Sequence, residues 1–334
     1  MQTEPAAAPG LLKLLVVWVT TRCQLRCRYC YMEGGEAPAE DLDPQLFARV
    51  AQTVGFAPGA EVQIAGGEPG LVPEAVAEVA RLARGLGVAR VNVQTNGLAI
   101  GERFLDTVKR HRLGVGVSLD GPPAVNDRVR GRSGEVFAGL ARLEAAGVPF
   151  GVTAVVCRDT VATLPDLALL LAGFSQARSI GLDVLRPAGR GAEADLPAAA
   201  EVAAAYAALA DRLDWVNRRR AAPIRLREAG FAACGARDAF CAAEAGSGAV
   251  LTPGGRLYAC AGLVGLAEHD CGSADAPDFA RLRRGLHPPK GCAACALGDC
   301  GGRCPARAVL SPRAAVLDCV MRHAAAARAG VTDL

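Results

Sequence analysis

Between Val16 and about Ala205 the chain repeats one unit: a short β-branched run, a turn, then apolar residues spaced three and four apart. The β-branched runs predict strands at Leu15–Thr20, Glu61–Ala65, Arg90–Gln94, Gly114–Leu119, Phe150–Val156 and Gly181–Leu185. The helical periods predict helices at Pro44–Thr53, Pro73–Leu86, Glu102–Arg110, Gly134–Ala146, Val161–Phe174 and Leu196–Arg219. Strands alternating with helices imply an α/β fold with a parallel sheet and right-handed crossovers. Six units instead of eight predict a partial (β/α)6 barrel. Ligands of such sheets bind at the carboxyl ends of the strands, so the loops after each strand are where chemistry belongs.

After Arg220 the texture changes to Gly, Pro and Cys with turn-rich pieces such as Thr252-Pro253-Gly254-Gly255. This stretch has little apolar period of its own, and metal ligation can replace hydrophobic burial in such modules. The expected division is therefore a barrel with its linking helix over 1–220 and a Cys-rich domain over 221–334. A length of 334 residues with 51% hydrophobic composition agrees with two packed modules.

A net charge of +3 leaves no clustered basic face, so neither nucleic acid nor an anionic membrane is expected as a partner. The run Asn217–Arg220 reads as the cap and solvated end of a helix. The apolar stretch Leu11–Val19 is too short to span a bilayer, and no small-residue cleavage site follows it, which predicts a cytoplasmic protein. In that reducing compartment thirteen cysteines need a role other than disulfides. Three lie within eight residues near the N-terminus and nine lie between Cys234 and Cys319, the clustering expected of metal ligands.

Cys23, Cys27 and Cys30 follow the first strand. Three thiolates in one tight loop can hold three irons of a [4Fe–4S] cubane and leave the fourth open to a substrate. A zinc site is the alternative, but structural zinc takes four ligands and the closest histidine is His111.

The C-x3-C-x2-C spacing, with Tyr29 before the last cysteine, resembles the signature of the radical S-adenosylmethionine (SAM) superfamily. Four further pieces, each after a predicted strand, are similar to that family's segments: Gly66-Gly67-Glu68-Pro69, Thr95-Asn96-Gly97, Ser118-Leu119-Asp120-Gly121 and Arg186-Pro187-Ala188-Gly189. Any one of them alone is only a turn with a useful glycine. The resemblance implies that the backbone of the GGEP segment and Glu68 hold the SAM amino group, that Ser118 and Asp120 lie by its ribose and methionine, and that Gly189 passes the adenine. Tyr29 and Asn96 are further expected contacts. Arg130 suits the SAM carboxylate, and equally suits a solvated helix start.

The second cysteine group runs Cys234-x6-Cys241, Cys260, then Cys292-x2-Cys295-x4-Cys300-x3-Cys304, then Cys319. It resembles the SPASM domain, with four residues before Cys300 where the family usually has five. That resemblance implies an auxiliary [4Fe–4S] cluster on Cys234, Cys241, Cys260 and Cys304 and a second on Cys292, Cys295, Cys300 and Cys319. Two zinc sites fit the count equally well. Cys157 and Cys271 are left over, as buried structural thiols or, for Cys271, a hydrogen-atom donor.

No P-loop, zincin, serine-hydrolase or dinucleotide fingerprint occurs. The resemblance implies three [4Fe–4S] clusters, SAM, a flavodoxin- or ferredoxin-type reductant, and a ribosomally made precursor peptide as substrate. An oxidative side-chain crosslink is the expected product. Formylglycine formation is an alternative, although the enzymes that do this typically carry a proposed Asp base after the cysteine matching Cys260, where this chain has Ala261. Dehydrogenation or epimerisation of an amino sugar or small metabolite is a third reading. Twenty-two residues precede Cys23. A peptide leader is then expected to be read by the core surface or by a separate leader-binding protein.

Overall fold

Parallel strands alternate with helices as the hydrophobic pattern predicts. The computed structural model describes residues 10–229, 239–287, 295, 297 and 302–330. Strands β1 (Leu12–Trp18), β2 (Phe56–Ala65), β3 (Arg90–Thr95), β4 (Gly114–Ser118), β5 (Phe150–Val156) and β6 (Ala177–Val184) pair in chain order, each parallel to the next. Helices α1 (Pro44–Thr53), α2 (Pro73–Gly85), α3 (Glu102–His111), α4 (Pro123–Val129), α5 (Ser133–Ala145) and α6 (Asp166–Ala172) fall between them, and α7 (Ala199–Asn217) follows β6.

Local chemistry sets several of these boundaries. Asp43 accepts the Gln45 N–H at 2.9 Å and Pro44 occupies the first turn, a combination that starts α1. The helix expected over Val161–Phe174 is broken into a 3-10 turn at Val161–Thr163 and α6, because Pro165 has no N–H to continue the ladder. Arg220 does close a helix end, but that of α6: its guanidinium donates to Ala172 O and Phe174 O, each at 2.8 Å.

The sheet does not stop where the texture changes. β7 (Arg225–Leu226) pairs with β6, while β8 (Gly248–Leu251) pairs in parallel with the free side of β1. β9 (Arg256–Tyr258) and β10 (Asp270–Ser273) add antiparallel strands beyond it, with the Thr252–Gly255 segment as the turn between β8 and β9. The order is β10-β9-β8-β1-β2-β3-β4-β5-β6-β7. Helices α8 (Phe279–Arg284), α9 (Pro305–Leu310) and α10 (Pro312–Arg328) follow, and Arg328 of α10 pairs with Asp211 and Asp214 of α7.

Alternate residues along each strand face opposite ways. On β1, Leu15 and Val17 are buried in the main core, whereas Leu14 and Val16 line an inner cavity. Leu182 of β6 and Val250 of β8 line the same cavity, although four strands separate β1 from β6 in the sheet. The sheet therefore curls until its two ends face each other across a lumen, as in a partial barrel. Among the described residues no helix is long and apolar enough to cross a membrane.

Candidate functional site

Two cavities occupy the lumen, and both contain cysteines. The first, about 210 Å³, lies at the carboxyl ends of the strands. Cys23, Cys27, Cys30 and Tyr29 line it from the loop after β1, Gly66 and Gly67 from the loop after β2, and Asn96 from that after β3; Ser118 enters from the end of β4 and Arg130 from the end of α4. Burial pushes the Cys23 thiol up to about 11, and burial also raises Cys27 against the opposing pull of Arg130. Polar hydrogens point at the sulfurs: Asn96 Nδ2 is 3.7 Å from Cys23 Sγ, Arg130 Nη1 is 3.8 Å from Cys27 Sγ, and the Gly34 N–H is 3.4 Å from Cys30 Sγ. Three thiols with donors aimed at them and a cavity in front are a donor set that fits an iron–sulfur cluster, whose ligands must shed their protons on binding.

Two buried carboxylates hold the loops behind this cavity without lining it. Glu68 Oε1 accepts the Gly70 N–H at 2.8 Å and the Thr95 hydroxyl at 2.6 Å. Burial raises its pKa, against these donors and the Asn96 N–H. Asp120 is fully buried, taking the Val155 N–H at 2.7 Å, Arg130 Nε at 2.7 Å and the Tyr29 hydroxyl. The Arg130 guanidinium also lies 5.3 Å from the centre of the Tyr29 ring. Pro69 is buried outside the cavity, and Gly189, at φ +55, packs against Cys30, where a Cβ would sit 2.5 Å from the carbonyl oxygen. Gly67 is as tightly placed, with Arg22 O at 2.1 Å from the position of a Cβ.

The second cavity, about 350 Å³, lies between β6, β8 and β1 and contains Cys241, Cys260 and Cys304. Its other walls are mostly apolar, including Leu14, Val16 and Met321. Cys304 opens α9, accepting the Arg307 N–H on its sulfur at 3.5 Å, and burial raises its pKa. Burial also pushes Cys241 up to about 11, with Cys304 and Cys260 adding like charge. Asp183 and Arg186 line both cavities and pair with each other at 2.6 Å. Arg307, buried, reaches Asp183 from α9, the Val184 carbonyl at 3.0 Å and Asp318 of α10 at 2.6 Å.

Cys234, Cys292 and Cys300 lie outside the described residues. Cys295 Sγ is 3.4 Å from Nε2 of His323, one helical turn beyond Cys319 on α10. Cys157 is buried at the end of β5, 3.5 Å from the Thr160 hydroxyl, and lines neither cavity. Cys271 is buried with its thiol toward His269 O. Among the described residues no three His, Cys, Asp or Glu side chains converge on a single-ion site. The motif reading overlooked Gln94, Thr153 and Asp183, which line the first cavity, and Glu228, which lines the second; Arg186, from the glycine-bearing segment after β6, lines both. For Gln94, Thr153 and Asp183 the signal was a polar residue within a strand, spaced to face the lumen.

A curled parallel sheet with three thiols in the loop after its first strand, and glycine loops at the next strand ends, defines the class of radical SAM folds. The sequence profile of the Radical SAM superfamily matches residues 18–171, and the chain carries a radical SAM domain. Such a domain implies a [4Fe–4S] cluster and SAM. The fold is similar to that of native anSMEcpe with bound AdoMet (TM-score 0.74, 16% identity, 95% of this chain and 98% of that one). It is also similar to that of Streptococcus suis SuiB bound to S-adenosylmethionine (TM-score 0.69, 14% identity, 90% and 75%). A serine-type anaerobic sulfatase-maturating enzyme of Klebsiella aerogenes is 27% identical over 82% of this chain and 72% of its own length. Other curated relatives match over less: 64% of an uncharacterized protein of Methanocaldococcus jannaschii and 43% of the pre-heme d1 synthase of Dinoroseobacter shibae.

Proposed function

We propose that this protein is a radical SAM enzyme that oxidises a ribosomally made peptide, closing a carbon–carbon or thioether crosslink between side chains. The observation that carries this reading is the shared wall: Asp183 and Arg186 face both the cavity of Cys23, Cys27 and Cys30 and the cavity of Cys241, Cys260 and Cys304. A substrate between the two has a hydrogen-abstracting site on one side and an electron acceptor on the other. SAM bound at the cluster of the first three cysteines supplies, on reduction, a 5′-deoxyadenosyl radical that takes a hydrogen atom from the substrate.

The chain's own residues hold and aim these groups. Gly66 and Gly67 offer backbone at the cavity wall for the SAM amino group, Arg130 suits its carboxylate, and Ser118 and Asn96 complete the rim. Glu68 and Asp120 act from behind, fixing the loops that bear these contacts. Cys241, Cys260 and Cys304, with Cys234, hold one auxiliary [4Fe–4S] cluster. Cys292, Cys295, Cys300 and Cys319 hold the second. A flavodoxin- or ferredoxin-type protein supplies the electron.

A peptide substrate agrees with the two similar folds solved with peptides, SuiB bound to its precursor peptide SuiA and anSMEcpe with the Kp18Cys peptide. Formylglycine formation is the second reading, favoured by the extent of the match to the Klebsiella enzyme. Ala261 beside Cys260 weighs against it.

Coexpression with candidate precursor peptides and tandem mass spectrometry tests the proposal. A crosslinked pair of residues is the expected product, whereas an aldehyde that reacts with hydrazides supports the second reading. Absence of 5′-deoxyadenosine from the reduced, reconstituted protein defeats both.

A further inference from the structure

Glu228 follows β7 in a short 3-10 turn and is buried in the wall of the second cavity. Its Oε1 accepts the Leu182 N–H at 2.9 Å, while its Oε2 has no hydrogen-bond partner among the described residues. A buried polar atom left without a partner is destabilising and calls for an explanation. The same cavity contains three thiols and Ala261, the position that lacks a carboxylate. A carboxyl group thus enters that cavity from the opposite end of the sheet.

We propose that Glu228 is the proton acceptor of the lumen, receiving on Oε2 the proton that accompanies each electron passed to the iron–sulfur group of Cys241, Cys260 and Cys304. This rests on the reading that those cysteines hold such a group. Two hydrogens leave the substrate in an oxidative crosslink. The first leaves as an atom, to the 5′-deoxyadenosyl radical. The second is divided: one electron goes to the auxiliary cluster and one proton to Glu228 as the new bond forms.

Burial pushes the Glu228 pKa up to about 7, opposed by the Leu182 N–H and by Arg227 and reinforced by Asp183. An added electron nearby raises it further, so reduction and protonation are linked. Among the described residues, the other charged side chains of this cavity wall have partners. Asp183, Arg186, Arg307 and Asp318 neutralise one another in the paired network. Arg322 of α10 stacks over Phe240 at 4.6 Å, and Arg328 pairs with Asp211 and Asp214. Tyr206 of α7, its pKa raised by burial and then by Glu228, keeps its proton.

An EPR-monitored redox titration of the anaerobically reconstituted full chain, from about pH 6 to about pH 8, tests the proposal. One auxiliary midpoint potential is expected to fall as pH rises, approaching about 59 mV for each tenfold drop in proton concentration. Glu228→Gln keeps an acceptor for Leu182 and is expected to flatten that slope with iron content unchanged. Glu228→Asp is expected to retain a slope in a shifted window. A pH-independent potential in the unaltered protein, or a slope that survives in Glu228→Gln, overturns the proposal. Iron and sulfide analysis of the same samples separates the two failures: a loaded auxiliary site with a flat profile rejects only the role of Glu228, whereas an unloaded site rejects the cluster reading beneath it. Should the Gln variant not load, infrared difference spectra of the unaltered protein decide, since a carboxylic C=O band must appear on reduction.

Discussion

Glu68 Oε2 accepts the backbone N–H of Asn96 at 2.6 Å, so the loop after β2 is fastened to the loop after β3 by a group that does not face the cavity. Glu68→Gln must turn an amide NH₂ toward at least one of three donors. The expected loss of stability is about 1–3 kcal/mol in urea unfolding, together with weaker SAM binding in equilibrium dialysis. Unchanged stability and binding would show that the two loops are held by something else.

Gly67 leaves no room for a methyl group, because backbone atoms of Thr21 and Arg22 lie within 2.7 Å of its position. Gly67→Ala therefore displaces the loop that bears the first three cysteines, and a destabilisation of about 1–3 kcal/mol is expected. Gly85, at the end of α2 with nothing near its Cβ position among the described residues, is the control. Gly85→Ala is expected to stabilise by up to about 1 kcal/mol. Thermal melts of the two variants should move in opposite directions.

Arg130 pairs with a fully buried Asp120, so removing the guanidinium strands a charge. Arg130→Met is expected to cost about 3–5 kcal/mol and to reduce iron loading at Cys27, its neighbour. Arg130→Lys should recover part of the stability but not the full iron content, since it loses the fork that spans Asp120 and the sulfur. Calorimetry and iron analysis measure the two effects separately.

In the metal-free protein Glu228 carries a pH signature of its own. Its folded-state pKa is raised from 4.5 to about 7, so the neutral form is favoured by folding. Stability is then fully present below about pH 4.5 and is lost by about 3 kcal/mol as pH rises through about 7. Glu228→Gln should remove that decline, which chemical denaturation at stepped pH will reveal.

The barrel was legible because its strands and helices obey their own periods: β5 was predicted at its observed bounds, as was α1. The first cysteines were legible because short spacing brings thiols together whatever the fold. β8 was not, since the four residues Gly248–Leu251 become a strand only by pairing with β1, more than two hundred positions earlier. Glu228 was missed for a similar reason. Nothing in Arg227-Glu228-Ala229 marks it, and its burial comes from β6 and the cavity wall.

The β1–β8 pair also orders events during synthesis. When β1 emerges from the ribosome its outer edge has no partner, and it stays bare until residues 248–251 follow. Until then the nascent barrel presents a parallel edge and an unlined lumen, an arrangement prone to misassociation. The late strand closes that edge beside Cys241 and Cys260. Sealing the seam and bringing those thiols to the lumen wall are thus one step of maturation, and a chain truncated before Gly248 is expected to aggregate even though all six parallel repeats have been translated.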